Sequence, residues 1–79
     1  MTDVEIEYCV PCGHLDRAQD LQRELLSEFG QRINGVRLKT GDGGVFVVRA
    51  DGEPIYDKSE DGDLNVETIK DQIRTRTTA

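Results

Sequence analysis

The stretch that decides the fold covers residues 4–13 and reads Val4-Glu5-Ile6-Glu7-Tyr8-Cys9-Val10-Pro11-Cys12-Gly13. Its first half alternates apolar and acidic residues, which is typical of a strand with one buried face. The alternation gives way to two cysteines at positions i and i+3, and these are the only cysteines of the chain. Two thiols at this spacing can close a small disulfide ring, attack another disulfide or hold a soft metal ion.

An amphipathic helix is predicted after the cysteine pair. Apolar residues recur there at intervals of three and four and form one stripe: Leu15, Ala18, Leu21, Leu25 and Phe29. We expect this helix to begin near Pro11 or Cys12 and to end at Gly30. Cys12 would then lie in the first helical turn, where unpaired backbone N–H groups stabilise a thiolate.

The rest of the chain predicts three more strands and a second helix. Residues 36–39 alternate apolar and basic residues, residues 45–50 are rich in valine, and residues 55–58 form a fourth strand that Pro54 marks as an edge. The predicted connections are a turn over residues 41–44, a hairpin at Asp51-Gly52 and a polar loop over residues 59–63. Asn65 or Asp63 would cap the last helix, and residues 75–79 would fray.

The predicted order is β-α-β-β-β-α in one α/β (α+β) domain over residues 1–79. The first two strands would be parallel neighbours joined by a right-handed crossover, so that Glu5 and Glu7 lie beside Arg37 and Lys39. Because the alternation leaves one sheet face polar, both helices should cover the other face. The predicted core comprises Val4, Ile6, Leu21, Leu25, Val36, Leu38, Phe46, Val48 and Ile69.

The uncovered sheet face predicts one weak contact surface. Val45 and Val47 would point outward there, and two exposed valines could support a weak dimer. Ordinary strand propensity explains the same two residues, and we therefore expect a monomer.

The composition limits the class of protein. The net charge is −6, from 16 acidic and 10 basic residues, which disfavours nucleic acid and anionic membranes as partners. No run approaches the roughly 18 apolar residues of a membrane span. The start of the sequence lacks a secretory signal, so we expect the cytoplasm, where a lone cysteine pair is more often catalytic or metal-binding than structural.

The chain resembles the selenoprotein W-related Rdx family, a small branch of the thioredoxin-like fold. The resemblance extends from Val4 to Ile73, and its matching pieces are Tyr8-Cys9-x-x-Cys12-Gly13, Glu28-Phe29, Gly43-Gly44-Val45-Phe46, and Asp51-Gly52 followed by Ile55 and Lys58. It implies a βαβ-ββα fold and an oxidoreductase-type role in thiol homeostasis, glutathione-linked in some members. The family's selenoproteins carry selenocysteine at the position of Cys12, and the proline that thioredoxin places before its facing strand is missing from residues 40–44.

The sequence thus predicts a thiol–disulfide redox protein with Cys9 and Cys12 as catalytic residues, Pro11, Gly13 and His14 as supporting residues, and no cofactor. Its expected partners are thiols and disulfides of proteins or small molecules. The thioredoxin rule favours Cys9 as the exposed nucleophile, whereas the selenocysteine position favours Cys12. We expect Cys9 to attack and Cys12 to resolve. His14 is either a proton shuttle or a solvated residue.

A different class of protein remains open from the sequence. The cysteine pair could carry Cu(I) or Zn(II), although two thiols and one histidine leave zinc short of its usual four ligands. It could also sense redox state in a non-enzymatic binding module, or be a buried and inert structural pair.

The acidic surface predicts a response to salt. Aspartate and glutamate far outnumber the three lysines, as is typical of proteins from high-salt cytoplasms, although ordinary acidic proteins share the excess. Because carboxylates repel one another at low ionic strength, the free energy of unfolding should rise from millimolar to molar salt. Urea unfolding at a series of NaCl and KCl concentrations measures this. A midpoint that stays flat or falls would remove the halophilic interpretation.

Overall fold

Four strands form one mixed sheet in the computed structural model, which describes residues 2–77. The strands are β1 (Thr2–Cys9), β2 (Ile33–Gly41), β3 (Phe46–Ala50) and β4 (Glu53–Asp57). The helices are α1 (Leu15–Phe29), α2 (Lys58–Asp61) and α3 (Val66–Thr77), and a 3₁₀ turn occupies Gly30–Arg32. The order in the sheet is β2-β1-β3-β4, so β1 is an inner strand and the proline-containing β4 is an edge strand, as predicted.

The register of β1 agrees with the charge pattern of the sequence. Strand β1 runs parallel to β2, with Glu5 opposite Arg37 and Glu7 opposite Lys39. It runs antiparallel to β3 on its other side. The predicted parallel pair is therefore confirmed, and opposite charges meet across it, as in the 3.5 Å ion pair between Glu5 and Arg37.

Both long helices cover the same face of the sheet. The apolar stripe of α1 and two isoleucines of α3 pack with the alternate residues of β1 and with β3 in one core. The core contains Val4, Ile6, Tyr8, Ala18, Leu21, Leu25, Phe29, Ile33, Val36, Phe46, Val48, Tyr56, Ile69 and Ile73. All predicted core residues are in this list except Leu38, which is partly buried against it.

Polar contacts join the two long helices to each other and join α1 to β2, the other edge strand of the sheet. The Gln22 side chain donates a hydrogen bond of 2.7 Å to the carbonyl oxygen of Val36 in β2. Between the helices, Lys70 lies 3.1 Å from Glu24 and Arg74 lies 3.3 Å from Glu28. The hydrogen bond with Glu24 raises the pKa of Lys70.

Several element boundaries differ from the sequence prediction: β2 covers Ile33–Gly41 rather than residues 36–39, and β4 covers Glu53–Asp57 rather than residues 55–58. Helix α1 begins at Leu15 rather than near Pro11, because residues 10–13 form a turn first. The predicted polar loop contains the short helix α2, whose cap is Asp57: its carboxylate accepts hydrogen bonds from the backbone N–H and the hydroxyl of Ser59. Residues 75–77 are helical rather than frayed, and residues 78 and 79 lie outside the described range.

The predicted stops and caps are otherwise confirmed. Gly30 ends α1 with a positive φ of 51°, and Asn65 accepts a hydrogen bond from the backbone N–H of Thr68 at the start of α3. The hairpin between β3 and β4 turns at Asp51 and Gly52, both of which have positive φ. That conformation matches the right-handed twist of the flanking strands.

The prediction that Val45 and Val47 are exposed is wrong. Val47 is 5% exposed and Val45 is half-buried. Both lie near Glu7. Glu7 is paired with Val47 across β1 and β3. The side chains of Glu7 and Val45 both approach the position that a Cβ would take at Gly41. The Arg49 guanidinium lies 2.9 Å from Glu7 and 3.3 Å from Glu5, so paired charged side chains occupy this face of the sheet.

In the described part of the chain, no helix is long and apolar enough to cross a membrane.

Gly41 should be a sensitive position in this packing. A Cβ at Gly41 would lie 2.7 Å from Cγ1 of Val45 and 3.1 Å from Oε2 of Glu7. We expect Gly41→Ala to lower the free energy of unfolding by about 1–3 kcal/mol, since the valine would have to move. Urea unfolding measures the loss. In the double variant Gly41→Ala/Val45→Ala, the loss of unfolding free energy should be smaller than the sum of the losses in the two single variants. Simple additivity would contradict the contact.

Candidate functional site

The cysteine pair lies in the turn that joins β1 to α1. Cys9 is the last residue of β1, and residues 10–13 form the turn. Within it, the N–H of Gly13 donates to the carbonyl oxygen of Val10 at 3.1 Å. The N–H of Cys9 donates to Val45 at 2.8 Å, and the N–H of Val10 donates to Gly41 at 3.0 Å. The turn is therefore fixed at its base to the last residue of β2 and to the residue that precedes β3.

The two cysteines are closed as a disulfide. Their Cα atoms are 5.3 Å apart, within the usual range for a bridge. Gly13 has a φ of +77°, a conformation that glycine adopts without steric cost, and this brings the chain from Cys12 into the helix. The structure thus shows directly that this short turn accommodates the oxidised form of the pair.

The two sulfur-bearing residues differ sharply in exposure. Cys9 is 0% exposed, whereas Cys12 is exposed in the turn. The adjacent Val10 is 48% exposed and Leu15, the first residue of α1, is 43% exposed. The expectation that Cys9 is the exposed cysteine is therefore wrong, because the last position of an inner strand is covered by its neighbours. A partner that approaches the pair from solvent meets Cys12.

The helix N-terminus lies further along the chain than the sequence predicts. Cys12 and Pro11 are in the turn, not in the first helical turn, and His14 occupies the N-cap position without a side-chain capping bond. Pro11 still fixes one backbone angle inside the disulfide ring. Since the helix dipole acts mainly within the first turn, it stabilises a Cys12 thiolate less than the sequence prediction assumed.

His14 lies at the junction of the turn and the core. It is half-buried, and its ring meets Phe46 edge-on with ring centroids 6.0 Å apart. Partial burial lowers the pKa of His14, and the nearby positive charges of Lys58 and Arg17 lower it further. The neutral imidazole is therefore favoured at neutral pH, and a neutral imidazole can accept a proton.

Two cations near His14 were not identified as site residues from the sequence. Arg17 lies three positions after His14 in α1, a spacing that places two helical side chains on one face and that could have been recognised. Lys58 begins α2, far away in the chain, and no local pattern brings it to His14. The structure therefore places Cys12, His14, Arg17 and Lys58 at one end of the molecule.

When the cysteine pair is oxidised, the site offers few ligands to a metal ion. Over residues 2–77, no group of three or more His, Cys, Asp or Glu side chains lies together in an arrangement that would hold a metal ion. Both sulfurs are in the disulfide, and thiolates are the ligands that a soft metal requires. Reduction of the pair would have to precede any Cu(I) binding.

Comparison with known proteins gives one family. The sequence model of the Rdx family matches residues 3–75. A crystal structure of a Bordetella parapertussis protein has 36% sequence identity and a TM-score of 0.91, covering 95% of this chain and 96% of that chain. The crystal structure of a selenoprotein W-related protein from Vibrio cholerae has 28% identity and a TM-score of 0.91, covering 96% of each chain. No curated protein matches significantly. The predicted thioredoxin-like fold is thereby confirmed.

The unequal burial of the cysteines predicts unequal alkylation. In the reduced protein, we expect iodoacetamide to modify Cys12 more than about tenfold faster than Cys9, because Cys9 reacts only after local opening. Mass spectrometry of peptides from a quenched time course measures both rates. In urea the two rates should converge, which serves as the control. Equal rates under native conditions would contradict the asymmetry.

Proposed function

Because the chain belongs to the Rdx family, we propose that it is a thiol–disulfide redox protein that acts in thiol homeostasis through Cys9 and Cys12. One observation carries the proposal: the only cysteines of the chain form a disulfide with one buried and one exposed member. That division suits an exchange reaction, in which an accessible thiol attacks and a protected thiol resolves. The family membership and the selenoprotein W-related neighbour support the same chemistry.

In the first step, the Cys12 thiolate attacks one sulfur of a substrate disulfide. A new S–S bond joins Cys12 to one half of the substrate, the original S–S bond breaks, and the other half leaves as a thiolate that takes up a proton. Cys12 is assigned this role because it is exposed, and the family resemblance places selenocysteine at the same position. The assignment reverses the preference for Cys9 that the thioredoxin rule gave.

In the second step, Cys9 resolves the mixed disulfide. Its thiolate attacks the Cys12 sulfur, the bond to the substrate breaks, and the second half of the substrate leaves as a thiol. The Cys9–Cys12 disulfide closes, so that two electrons have passed from the protein to the substrate. The Cα separation of 5.3 Å in the closed form lies within the usual range for a bridge, so the turn accommodates the product of this step. A cellular thiol or dithiol then restores the reduced pair.

We assign His14 the role of proton acceptor for the attacking thiol. A free thiol has a pKa of about 8.5 and is mostly protonated at neutral pH. His14 is two positions from Cys12, and its lowered pKa favours the neutral imidazole that can take the thiol proton.

We propose that the protein works as a monomer in the reducing cytoplasm, with protein or small-molecule disulfides as partners and without a cofactor. Such a compartment returns the pair to the dithiol form after each cycle.

Serine variants test the two cysteine roles. With Cys9→Ser, attack by Cys12 should still occur but resolution should fail, so a mixed disulfide with the substrate should accumulate. With Cys12→Ser, neither turnover nor a trapped adduct should appear, because the remaining thiol is buried. Non-reducing electrophoresis and intact-protein mass spectrometry, after incubation with a model disulfide, measure both outcomes.

Two results would count against this proposal. Trapping by Cys12→Ser and not by Cys9→Ser would reverse the roles and return the nucleophile to Cys9. Failure of the wild-type dithiol to reduce any disulfide, together with stoichiometric binding of Cu(I), would favour the metal-carrier function instead. The double variant Cys9→Ser/Cys12→Ser is the control for both assays, and circular dichroism shows whether each variant is folded.

A further inference from the structure

Two exposed apolar side chains lie on either side of Cys12 in the chain. Among the valines, leucines, isoleucines, phenylalanines and tyrosines of residues 2–77, three are exposed: Val10, Leu15 and Leu26. Val10 lies inside the disulfide ring, and Leu15 is the first residue of α1. In a chain in which 33% of the residues are charged, two of the three exposed apolar side chains therefore belong to the redox site.

The segment that carries these two side chains has no charged residue. Residues 8–15 contain no Asp, Glu, Lys or Arg, and this is the longest such run of the chain, since the next, residues 43–48, is shorter. The lowered pKa of His14 favours its neutral form, so the segment stays uncharged at neutral pH. What we call the apolar patch is formed around Cys12 by three exposed residues: Val10, Pro11 and Leu15.

The apolar patch lies within reach of a substrate that reacts at Cys12. Val10 is two residues from Cys12 and Leu15 is three, so their Cα atoms lie at most about 7 Å and about 11 Å from that of Cys12. The N–H of His14 donates to the carbonyl oxygen of Cys9 at 3.4 Å, so the chain returns to the cysteine pair immediately before Leu15. In a substrate peptide, the residues next to the reacting cysteine are held equally close to its sulfur. Their side chains therefore meet the patch when the Cys12 thiolate attacks.

Charges of both signs occur around the apolar patch. Asp16 and Arg17 follow Leu15 in α1, and both are exposed. One further cation and three carboxylates act on the side chain of His14 or of Tyr56: Lys58, Asp57, Asp61 and Asp63. Charge therefore gives no reason to expect an anionic substrate. An apolar centre with a polar rim is the arrangement found in specific protein contacts.

The size and the position of the patch indicate an occupant that binds briefly. A stable dimer buries roughly 800 Å² per partner, far more than two half-exposed aliphatic side chains supply. A lasting occupant would also cover Cys12, the residue to which the proposed function assigns the attack. A peptide substrate, which binds, reacts and leaves, satisfies both conditions.

We propose that the apolar patch selects peptide disulfides that carry an apolar side chain next to the reacting cysteine. This inference rests on the proposed thiol–disulfide function and specifies its substrate class. The apolar side chain packs against Val10 and Leu15 while the Cys12 thiolate attacks the substrate sulfur. The exchange then follows the two steps described above: the substrate disulfide is reduced to two thiols and the Cys9–Cys12 dithiol is oxidised to the disulfide.

Four peptide disulfides of one backbone test the selection. Each is the disulfide-linked dimer of Ac-Gly-X-Cys-X-Gly-NH2, in which X is leucine, serine, lysine or glutamate. The rate at which each oxidises the pre-reduced protein is measured by alkylation of the remaining thiols and mass spectrometry. Division by the rate of the same peptide with 2-mercaptoethanol removes differences in intrinsic reactivity. We expect the leucine peptide to react at least about fourfold faster than the serine peptide, the factor that corresponds to one buried methylene group.

Salt separates an apolar contact from a charge effect. At low ionic strength the acidic protein should attract the lysine peptide and repel the glutamate peptide, and both effects should fade in molar NaCl. The ratio of leucine-peptide to serine-peptide rates should persist there, because burial of apolar surface is not screened by salt. A leucine preference that disappears in molar NaCl would contradict the proposal.

Polar variants locate the effect. Val10→Thr keeps the shape of the side chain and replaces one methyl group by a hydroxyl, and Leu15→Gln keeps a good helix former. Each should lower the ratio of leucine-peptide to serine-peptide rates by about two- to fourfold, and the double variant should lower it most. Leu26→Gln is the matched control. It makes the same substitution at a leucine that is 42% exposed on the same helix, about 16 Å further along, and it should keep the wild-type ratio.

The outcomes separate the two proposals. If the leucine and serine peptides react at equal normalised rates, or if Leu26→Gln lowers the ratio as much as Leu15→Gln, the substrate selection is overturned and the redox function stands. If the reduced protein reacts with none of the four peptides, the proposed function itself fails. A dimer that the double variant disrupts, measured by light scattering after gel filtration, would assign the patch to a second copy of the chain and overturn the selection as well. Circular dichroism of every variant excludes loss of fold as the cause of a change.

Discussion

The central position of β1 is the constraint on which the rest of the structure depends. A strand with neighbours on both sides has its backbone groups paired along its length, and its side chains must divide between two faces. The apolar residues of β1 face the helices, while Glu5 and Glu7 face the other way and pair with Arg49. The strand ends at Cys9, so the burial of that cysteine follows directly from the position of the strand. The redox pair is asymmetric because only one of its members belongs to the sheet.

Charge is distributed in this protein by the same architecture. Basic residues of the sheet and of α3 meet acids across element boundaries, as in the pairs of Lys70 with Glu24 and of Arg49 with Glu7. These contacts neutralise part of the acidic excess on two sides of the molecule. Five of the ten basic residues, which include Arg17 and Lys58 near His14, have no ion pair among the described residues. Asp57, Asp61 and Asp63 lie close to Tyr56 near the same end, so this end carries charges of both signs.

Much of the fold could be predicted from the sequence because its signals are local and periodic. The two-residue period of β1, the helical spacing from Leu15 to Phe29 and the Asp51-Gly52 turn each define one element without reference to the others. The acidic alternation of β1 and the basic alternation of β2 also agree with the parallel register that the two strands adopt. The position of the cysteine pair between a strand and a helix followed from these patterns. The closed disulfide of the pair is one of the outcomes that these patterns allowed.

The tertiary structure alone decided which cysteine meets solvent, where α1 begins and what surrounds the pair. Exposure depends on neighbours that are distant in the chain: Gly41 and Val45 hold the backbone at the start of the turn by hydrogen bonds, and this keeps residues 10–13 out of the helix. Val47 is also buried by residues that are distant in the chain, which include charged side chains, although the pattern of its own strand predicts exposure. Lys58 comes to His14 only because the β3–β4 hairpin returns the chain to that end of the sheet. Local sequence determines the period of an element, whereas burial and electrostatic environment are sums over contacts that exist only after the elements have packed.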